Sequence, residues 1–251
     1  MAFEPSEVTH LVGRCWGSKK KKNLASETLG DGISWAENVA VVEEVIEDCI
    51  RRSLTSPYQN PRANIARRII IDKAARAVSD TPHFYSLPLY ISENLLVEIE
   101  NLDIPTRGSN RPKKISLPPH CREHTVPLAV HCSGEKILAD PETSLLNLRR
   151  AIASPISYVT KKEDEALRKR HVKSHEIPFY PFKRYDGIAT VYRTDTGERI
   201  DPNKFTYRHH LDVMALHPAY ASILPLVASG KNYWREKLIS MRAECARHQG
   251  A

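Results

Sequence analysis

The sequence predicts an α+β fold in which helices combine with mainly antiparallel strands, in one large domain or two small lobes. Several long segments repeat apolar residues at helical spacing, while shorter segments alternate polar and apolar residues as strands do. Helices and strands follow one another irregularly, whereas a doubly wound parallel sheet would alternate them regularly. The basic, proline-rich stretch 105–119 is predicted to be a loop or linker between an N-terminal lobe (1–104) and a C-terminal lobe (120–251).

The N-terminal lobe is predicted to open with a short strand at 8–16, followed by a helix from Ser34 to about Leu54. Ser34 and Glu37 match the capping box, in which the two side chains satisfy free backbone amides reciprocally. We expect the outer face of this helix to be acidic and to avoid a phosphate backbone. Its acids are Glu37, Glu43, Glu44, Glu47 and Asp48.

A second helix, of opposite charge, is predicted at 61–78. Asn60 and Pro61 resemble an N-cap followed by proline at the first helical position. This segment holds five basic residues against the single acid Asp72, so it is a candidate for contact with a polyanion. The following stretch, 81–104, is predicted to be extended, with its best strand at Leu95–Ile99.

The C-terminal lobe is predicted to contain a strand at Thr125–Cys132, a short helix from Asp140 to Ile152 and a strand pair at 188–200. A second capping-box pattern, Thr160 to Glu163, predicts a basic helix at 160–174. The last helix, at 231–248, is indicated by a stripe of apolar residues at helical spacing. These are Trp234, Leu238, Met241 and Cys245.

Clustered positive charge is the strongest functional signal. The chain has a net charge of +7 with 27% charged residues, and its cations are grouped rather than spread. Closely spaced cations favour a nucleic acid, because neutralising adjacent phosphates releases condensed counterions. The predicted contacts are Lys19, Lys20, Lys21, Lys22, Arg62, Arg67, Arg68, Lys73, Arg76, Arg107, Arg111, Lys113, Lys114, Arg168, Arg170, Lys183 and Arg184.

The helix at 160–174 has a second interpretation. Its acids stand in the first turn and its bases gather toward the end, an order that also complements the helix macrodipole and allows i,i+4 ion pairs. Aromatic residues interleave with Lys183 and Arg184 in the stretch Phe179–Tyr185. Such interleaving suits base stacking, so RNA or single-stranded DNA is favoured over duplex DNA, and RNA slightly over DNA.

Histidines supply an enzymatic alternative. Tyr207, His209, His210 and His217 are candidates for acid–base cleavage beside a ribose 2′-hydroxyl, which needs no metal. In size and basicity the chain is similar to CRISPR repeat-processing ribonucleases, although no motif of theirs aligns with it. Phosphate-loop spacing, a nucleophile elbow and a dinucleotide fingerprint are all missing, so kinase, hydrolase and dehydrogenase classes lack their required residues.

No cofactor and no resident metal are expected. Cys121 and His124 have a spacing that could contribute to a zinc site, but no second pair of ligands clearly completes it. The five scattered cysteines predict reduced thiols and an intracellular, preferably cytoplasmic, protein, and no apolar run is long enough to span a membrane.

The sequence thus leads to three hypotheses. The first is a nucleic-acid-binding subunit of a nucleoprotein complex. The second is a metal-independent endoribonuclease. The third is an interaction subunit whose basic face meets an acidic protein partner.

Overall fold

The structure, a computed structural model, describes residues 2–16, 35–55, 61–79, 89–102, 118–126, 133–170, 180–216 and 223–249. Its helices are α1 (Pro5–Trp16), α2 (Trp35–Thr55), α3 (Pro61–Ser79), α4 (Glu93–Glu100), α5 (Gly134–Ala139), α6 (Pro141–Leu146), α7 (Leu148–Ile152), α8 (Lys161–Lys169), α9 (Tyr207–Ala215) and α10 (Ile223–Gln249), with a 3₁₀ turn at Lys183–Tyr185. Its strands are β1 (Tyr90–Ser92), β2 (His120–His124), β3 (Ile156–Thr160) and β4 (Val191–Arg193). The predicted α+β class is confirmed.

The chain forms two compact units. Unit 1 comprises Met1–Ser26, Tyr85–Thr125 and Pro155–His210, and unit 2 comprises Glu27–Phe84, Val126–Ser154 and Leu211–Ala251. Each unit draws on residues of both predicted lobes, 1–104 and 120–251. The loop or linker predicted at 105–119 stays a prediction, because residues 105–117 lie outside the described ranges.

Unit 1 is built on a four-stranded sheet of order β2-β3-β1-β4. β1 runs parallel to β3, while β1–β4 and β2–β3 are antiparallel. The sheet is therefore mixed rather than mainly antiparallel. A parallel neighbour requires a long crossover, and the chain between β1 and β3 supplies it.

Two segments of unit 1 that were predicted as strands are helices. In α1, Val8, Leu11 and Val12 are buried at i, i+3 and i+4, which is the helical period. In α4, Leu95, Leu96 and Ile99 repeat that spacing, and the Ser92 hydroxyl accepts a hydrogen bond from the Leu95 amide as an N-cap. Both helices pack their apolar stripes in one core with Ile91, Tyr158 and Tyr192.

The remaining C-terminal predictions fare better. The short helix predicted from Asp140 to Ile152 is present as α6 and α7, with Asp140 as the N-cap of α6. The strand pair predicted at 188–200 is present in part, as β4 with a single antiparallel bridge from Tyr192 to Arg199. Gly197 lies in the turn between them, and its φ of 74° favours glycine. The last helix begins at Ile223, earlier than the predicted residue 231, and residues 127–132 of the predicted strand lie outside the described ranges.

Unit 2 is a helical unit whose core surrounds a buried ion pair. Ile46, Leu148 and Trp234 are almost fully buried. Among them, the Arg149 guanidinium donates from Nε and Nη2 to the two carboxylate oxygens of Glu43, at 2.6 and 2.7 Å. Glu43 was predicted to lie on the acidic outer face of α2, and this assignment is wrong because the carboxylate faces the core. None of the described helices is long and apolar enough to cross a bilayer.

Candidate nucleic-acid interface

Helix α8 starts where the sequence predicts, at a capping box. The Thr160 hydroxyl accepts from the Glu163 amide, and the Glu163 carboxylate accepts from the Thr160 amide at 2.8 Å. Because the box turns the Glu163 side chain back toward β3, this acid is only 4% exposed. The first acid of α8 therefore leaves the helix surface.

Further donors hold the Glu163 carboxylate in place. The Ser92 hydroxyl donates to it at 2.6 Å, and the Asn94 amide group donates at 2.9 Å. These contacts join the end of β1, the start of α4 and the start of α8 around one buried charge. Several hydrogen bonds to a carboxylate offset its desolvation, so α8 is fixed firmly at its N-terminus.

The second acid of α8 is also turned inward. Asp164 is 4% exposed, and its carboxylate receives a hydrogen-bonded ion pair from Arg168 at 2.8 Å, one turn along the helix. Burial raises the pKa of the neighbouring Cys121 thiol, and the negative charge of Asp164 raises that pKa further. Cys121 is therefore a protonated thiol at neutral pH rather than a reactive thiolate.

The outward side of α8 is left basic. We call Lys161, Lys162, Arg168, Lys169 and Arg170 the α8 cationic face, since all five are exposed at the helix or its C-cap. Glu165 is the one exposed acid of this helix. The macrodipole accounts for cations in the last turn, but it disfavours Lys161 and Lys162 in the first turn. The macrodipole therefore does not explain the two lysines.

The C-terminal end of this face continues into the turn after residue 180. Arg170 donates to the backbone carbonyl of Asp186, and the Lys183 ammonium donates to the Asn203 side-chain oxygen. Asn203 in turn donates to the Asp186 carboxylate at 3.4 Å. Arg170 and Lys183 thus lie at one connected polar surface.

Arg184 and the aromatic residues around it do not fit the predicted binding role. Arg184 is buried, pairs with Glu123 and donates to the His124 carbonyl at 2.7 Å, and its burial lowers the pKa of the guanidinium. Phe182 and Tyr185 are also buried and pack edge to face with each other. Burial raises the pKa of Tyr185 to about 12. Because Phe182 and Tyr185 build the core, those two rings do not support base stacking. Tyr180 is 38% exposed, so stacking by this ring and the preference for RNA stay predictions.

Helix α3 of unit 2 presents a second set of the predicted cations. Arg62, Lys73 and Arg76 are exposed. By contrast, Arg67 is half-buried and donates to Asn64 at 2.8 Å, and the half-buried Arg68 lies 3.7 Å from the Glu135 carboxylate. Only part of the predicted α3 set therefore faces solvent.

The remaining predicted contacts fall outside the described ranges. They are Lys19, Lys20, Lys21, Lys22, Arg107, Arg111, Lys113 and Lys114. His217, one of the catalytic candidates, also lies there.

The other catalytic candidates have structural roles. His210 and Tyr207 are buried, and His210 Nδ1 is hydrogen-bonded to the Tyr90 hydroxyl at 2.9 Å. His209 is exposed, but its Nδ1 accepts from the Thr206 amide at 2.9 Å and caps α9. Adjacent residues on a helix point in different directions, and both histidines have hydrogen-bond partners, so their acid–base role stays a prediction.

The candidate zinc ligands are separated by the strand that carries them. Cys121 and His124 are three residues apart on β2, and alternation places their side chains on opposite faces of the sheet. Within the described residues, no group of three or more histidine, cysteine, aspartate or glutamate side chains could hold a metal ion.

Comparison with protein-family models, with curated proteins and with solved structures found no match for this chain. Its function is therefore inferred from its own residues. Sequence reasoning missed the burial of Asp164, Glu43 and Arg149. For Glu163 the signal was present, because a capping box turns its glutamate back toward the helix start.

Proposed function

We propose that this protein binds nucleic acid through the phosphate backbone, using the α8 cationic face. The observation that carries the proposal is the separation of charge on α8. Glu163 is buried in internal hydrogen bonds and Asp164 is buried and paired with Arg168, whereas Lys161, Lys162 and Lys169 face solvent. Five exposed cations of the helix and its C-cap therefore stand against one exposed acid, Glu165.

The expected mode is recognition of phosphates rather than bases. Lysine and arginine contacts to phosphate position a protein without reading sequence. Phe182 and Tyr185, which could have stacked on bases, are in the core. RNA and DNA of equal length and strandedness should therefore bind with similar affinity, because no described residue of this surface is assigned to the 2′-hydroxyl.

Fluorescence anisotropy with labelled single-stranded RNA, single-stranded DNA, hairpin RNA and duplex DNA would test the proposal. With about four phosphates contacted, single-strand affinity should fall roughly 50-fold between ~50 and ~200 mM salt. A Lys161→Gln/Lys162→Gln variant should weaken binding to every probe and reduce the salt exponent by roughly 1.4 with single strands and roughly 1.8 with duplex DNA.

A matched variant controls for net charge. Lys231→Gln/Arg235→Gln removes two exposed cations from α10 and should leave the salt exponent unchanged. Equal losses in the two variants would mean that only net charge matters and would overturn the α8 assignment. If none of the four probes showed salt-dependent binding, the proposed function itself would be overturned. A gel on the recovered probes would detect cleavage, which would instead favour the endoribonuclease hypothesis.

A further inference from the structure

Tyr180 differs in its exposure from the other aromatic residues that the structure describes. Its side chain is 38% exposed, whereas the other rings whose exposure is described are buried or half-buried. Phe182 and Tyr185, in the same turn of chain, are almost fully buried. More than a third of the Tyr180 surface therefore stays available to a ligand.

The backbone that carries Tyr180 is held in place by its neighbours. The Tyr180 carbonyl accepts a hydrogen bond from the Lys183 amide at 2.9 Å. The buried Phe182 packs edge to face against Tyr90 and Phe205, with ring centroids 4.9 and 5.3 Å apart. Tyrosine has few rotatable bonds, so a ring on such a fixed turn loses little conformational entropy when a ligand stacks on it.

Cations lie on both sides of this turn, which spans residues 180–186. Lys183 follows Tyr180 by three residues, and its ammonium donates to the neutral side-chain oxygen of Asn203. Arg170, at the C-cap of α8, donates to the backbone carbonyl of Asp186. The Asp186 carboxylate, the one acid of the turn, is half-buried and accepts from Asn203 at 3.4 Å. The α8 cationic face therefore ends at the turn that carries the exposed ring.

The surroundings of Tyr180 favour a nucleotide over an apolar protein surface. Among the described residues of unit 1, the other large apolar side chain that is exposed is Val97, on helix α4. A protein-binding patch would group several apolar side chains around a ring. A lone ring beside cations instead matches single-strand binders, in which bases stack on aromatic side chains and the backbone follows a positively charged groove.

We propose that Tyr180 stacks on a base of a single-stranded nucleic acid whose phosphates lie along the α8 cationic face. This inference rests on the proposed function and narrows its ligand to single strands. In a duplex the bases are stacked on one another, so the ring can stack on a base only where the strand is unpaired. Every base offers the same kind of face, so the contact adds affinity without reading sequence.

The dimensions of α8 suit this arrangement. The helix has nine residues and is therefore roughly 14 Å long. A strand with about 3.4 Å between nucleotides would place about four phosphates along that length. The next base beyond the C-cap would then lie at the turn that carries Tyr180.

Fluorescence anisotropy with a single DNA strand, an abasic strand of the same length and duplex DNA tests the stacking. The abasic strand keeps the phosphates and lacks the bases. We expect wild-type protein to bind it about tenfold more weakly than the strand with bases, because one base stacked on an aromatic ring contributes about that factor. Tyr180→Leu should lose the same factor of about ten on the strand with bases and should bind the other two probes as the wild type does.

Two variants serve as controls, with native circular dichroism required of each protein. Tyr180→Phe keeps the ring and should bind all three probes as the wild type does. Val97→Ala removes the exposed apolar side chain of α4 and should also leave binding unchanged. Tyr180→Leu should leave the salt exponent unchanged, because the tyrosine ring carries no charge, whereas Lys161→Gln/Lys162→Gln lowers it.

The outcomes separate the stacking from the proposed function. Equal binding of the two strands by wild-type protein would overturn the stacking, as would equal losses of Tyr180→Leu on the strand with bases and on duplex DNA. A loss in Tyr180→Phe as large as in Tyr180→Leu would assign the effect to the hydroxyl and overturn it too. If Lys161→Gln/Lys162→Gln still lowers the salt exponent in these cases, the proposed function stands without the ring. Loss of salt-dependent binding to every probe would overturn both.

Discussion

Replacing Arg149 with methionine should destabilise unit 2 strongly. Arg149 and Glu43 are both buried, and the guanidinium contacts the carboxylate through two hydrogen bonds of 2.6 and 2.7 Å. The same guanidinium donates to the Leu226 carbonyl and the Ser229 hydroxyl, each at 3.0 Å, and lies 4.5 Å from the Tyr233 ring centroid. Methionine keeps much of the volume and removes all of these contacts.

The expected cost follows from what remains. Before the change, the Glu43 carboxylate accepts two hydrogen bonds from Arg149 and one from the Trp234 indole N–H at 3.1 Å. After the change, only the Trp234 hydrogen bond of these three remains. Leaving one member of a buried pair uncompensated typically costs about 3–5 kcal/mol. We therefore expect Arg149→Met to lower the free energy of unfolding by about 4 kcal/mol. Arg149→Met/Glu43→Gln, which removes the stranded charge, should recover about 2 kcal/mol of that loss.

Urea unfolding monitored by circular dichroism and tryptophan fluorescence measures these differences, because Trp234 reports on this core. Arg242→Met supplies a matched control, since Arg242 pairs with Glu142 at 2.6 Å where both side chains are mostly exposed. An exposed pair contributes about 0–1 kcal/mol. A cost of Arg149→Met no larger than that of this control would refute the assigned role of the buried pair. The same role would be refuted if the double variant lost as much stability as the sum of the losses in Arg149→Met and Glu43→Gln.

Three further changes test other parts of the structure. In thermal unfolding, Gly134→Ala should lower the free energy of unfolding by about 3 kcal/mol, because the new Cβ would lie 2.4 Å from the Arg68 carbonyl oxygen. Gly13→Ala should raise it by up to about 1 kcal/mol, since nothing lies within 4 Å of its Cβ position. Equal effects of the two substitutions would contradict the packing around Gly134. Glu163→Gln should cost about 2–3 kcal/mol in urea unfolding, because an amide group replaces one acceptor oxygen among converging donors; a neutral effect would contradict the network. Stability should fall between pH 10 and about 12, because the folded state holds Tyr185 neutral until its raised pKa, and unfolding at several pH values should show a smaller fall in Tyr185→Phe; equal falls would contradict this assignment.

The sequence predicted best where a local signal decides the structure. Capping boxes and an N-terminal proline placed the starts of α2, α3 and α8 within one residue, because backbone amides at a helix start must be satisfied nearby. The errors at 8–16 and 95–99 had a different origin. Short apolar segments suit both periods, and their helical form is fixed by packing on the sheet against Ile91 and Tyr158. Pairing of β1 with β3 joins distant residues and left no local trace.

The candidate interface was predictable as a charge cluster but not as a surface. Arg168 and Arg184 look alike in sequence, yet Arg168 is exposed and Arg184 is buried against Glu123. The difference depends on which turn of chain meets the sheet, and that is decided by tertiary packing. The list of contacts predicted from the sequence therefore includes a buried arginine, Arg184. It names only Arg168 and Arg170 of the five exposed cations on the α8 cationic face.

The direction in which acids point explains how two charged helices acquire different surfaces. On α8, burying Glu163 and Asp164 leaves an outward face dominated by cations. On α2, burying Glu43 satisfies the core arginine but leaves Glu37 and Glu44 outside, so the outward face stays acidic. A chain of net charge +7 therefore carries a basic face on one unit and an acidic face on the other. Because the α8 cationic face would attract a phosphate backbone of opposite charge, salt should weaken that binding, and Lys161→Gln/Lys162→Gln should weaken it at low salt while leaving the acidic face of α2 unchanged.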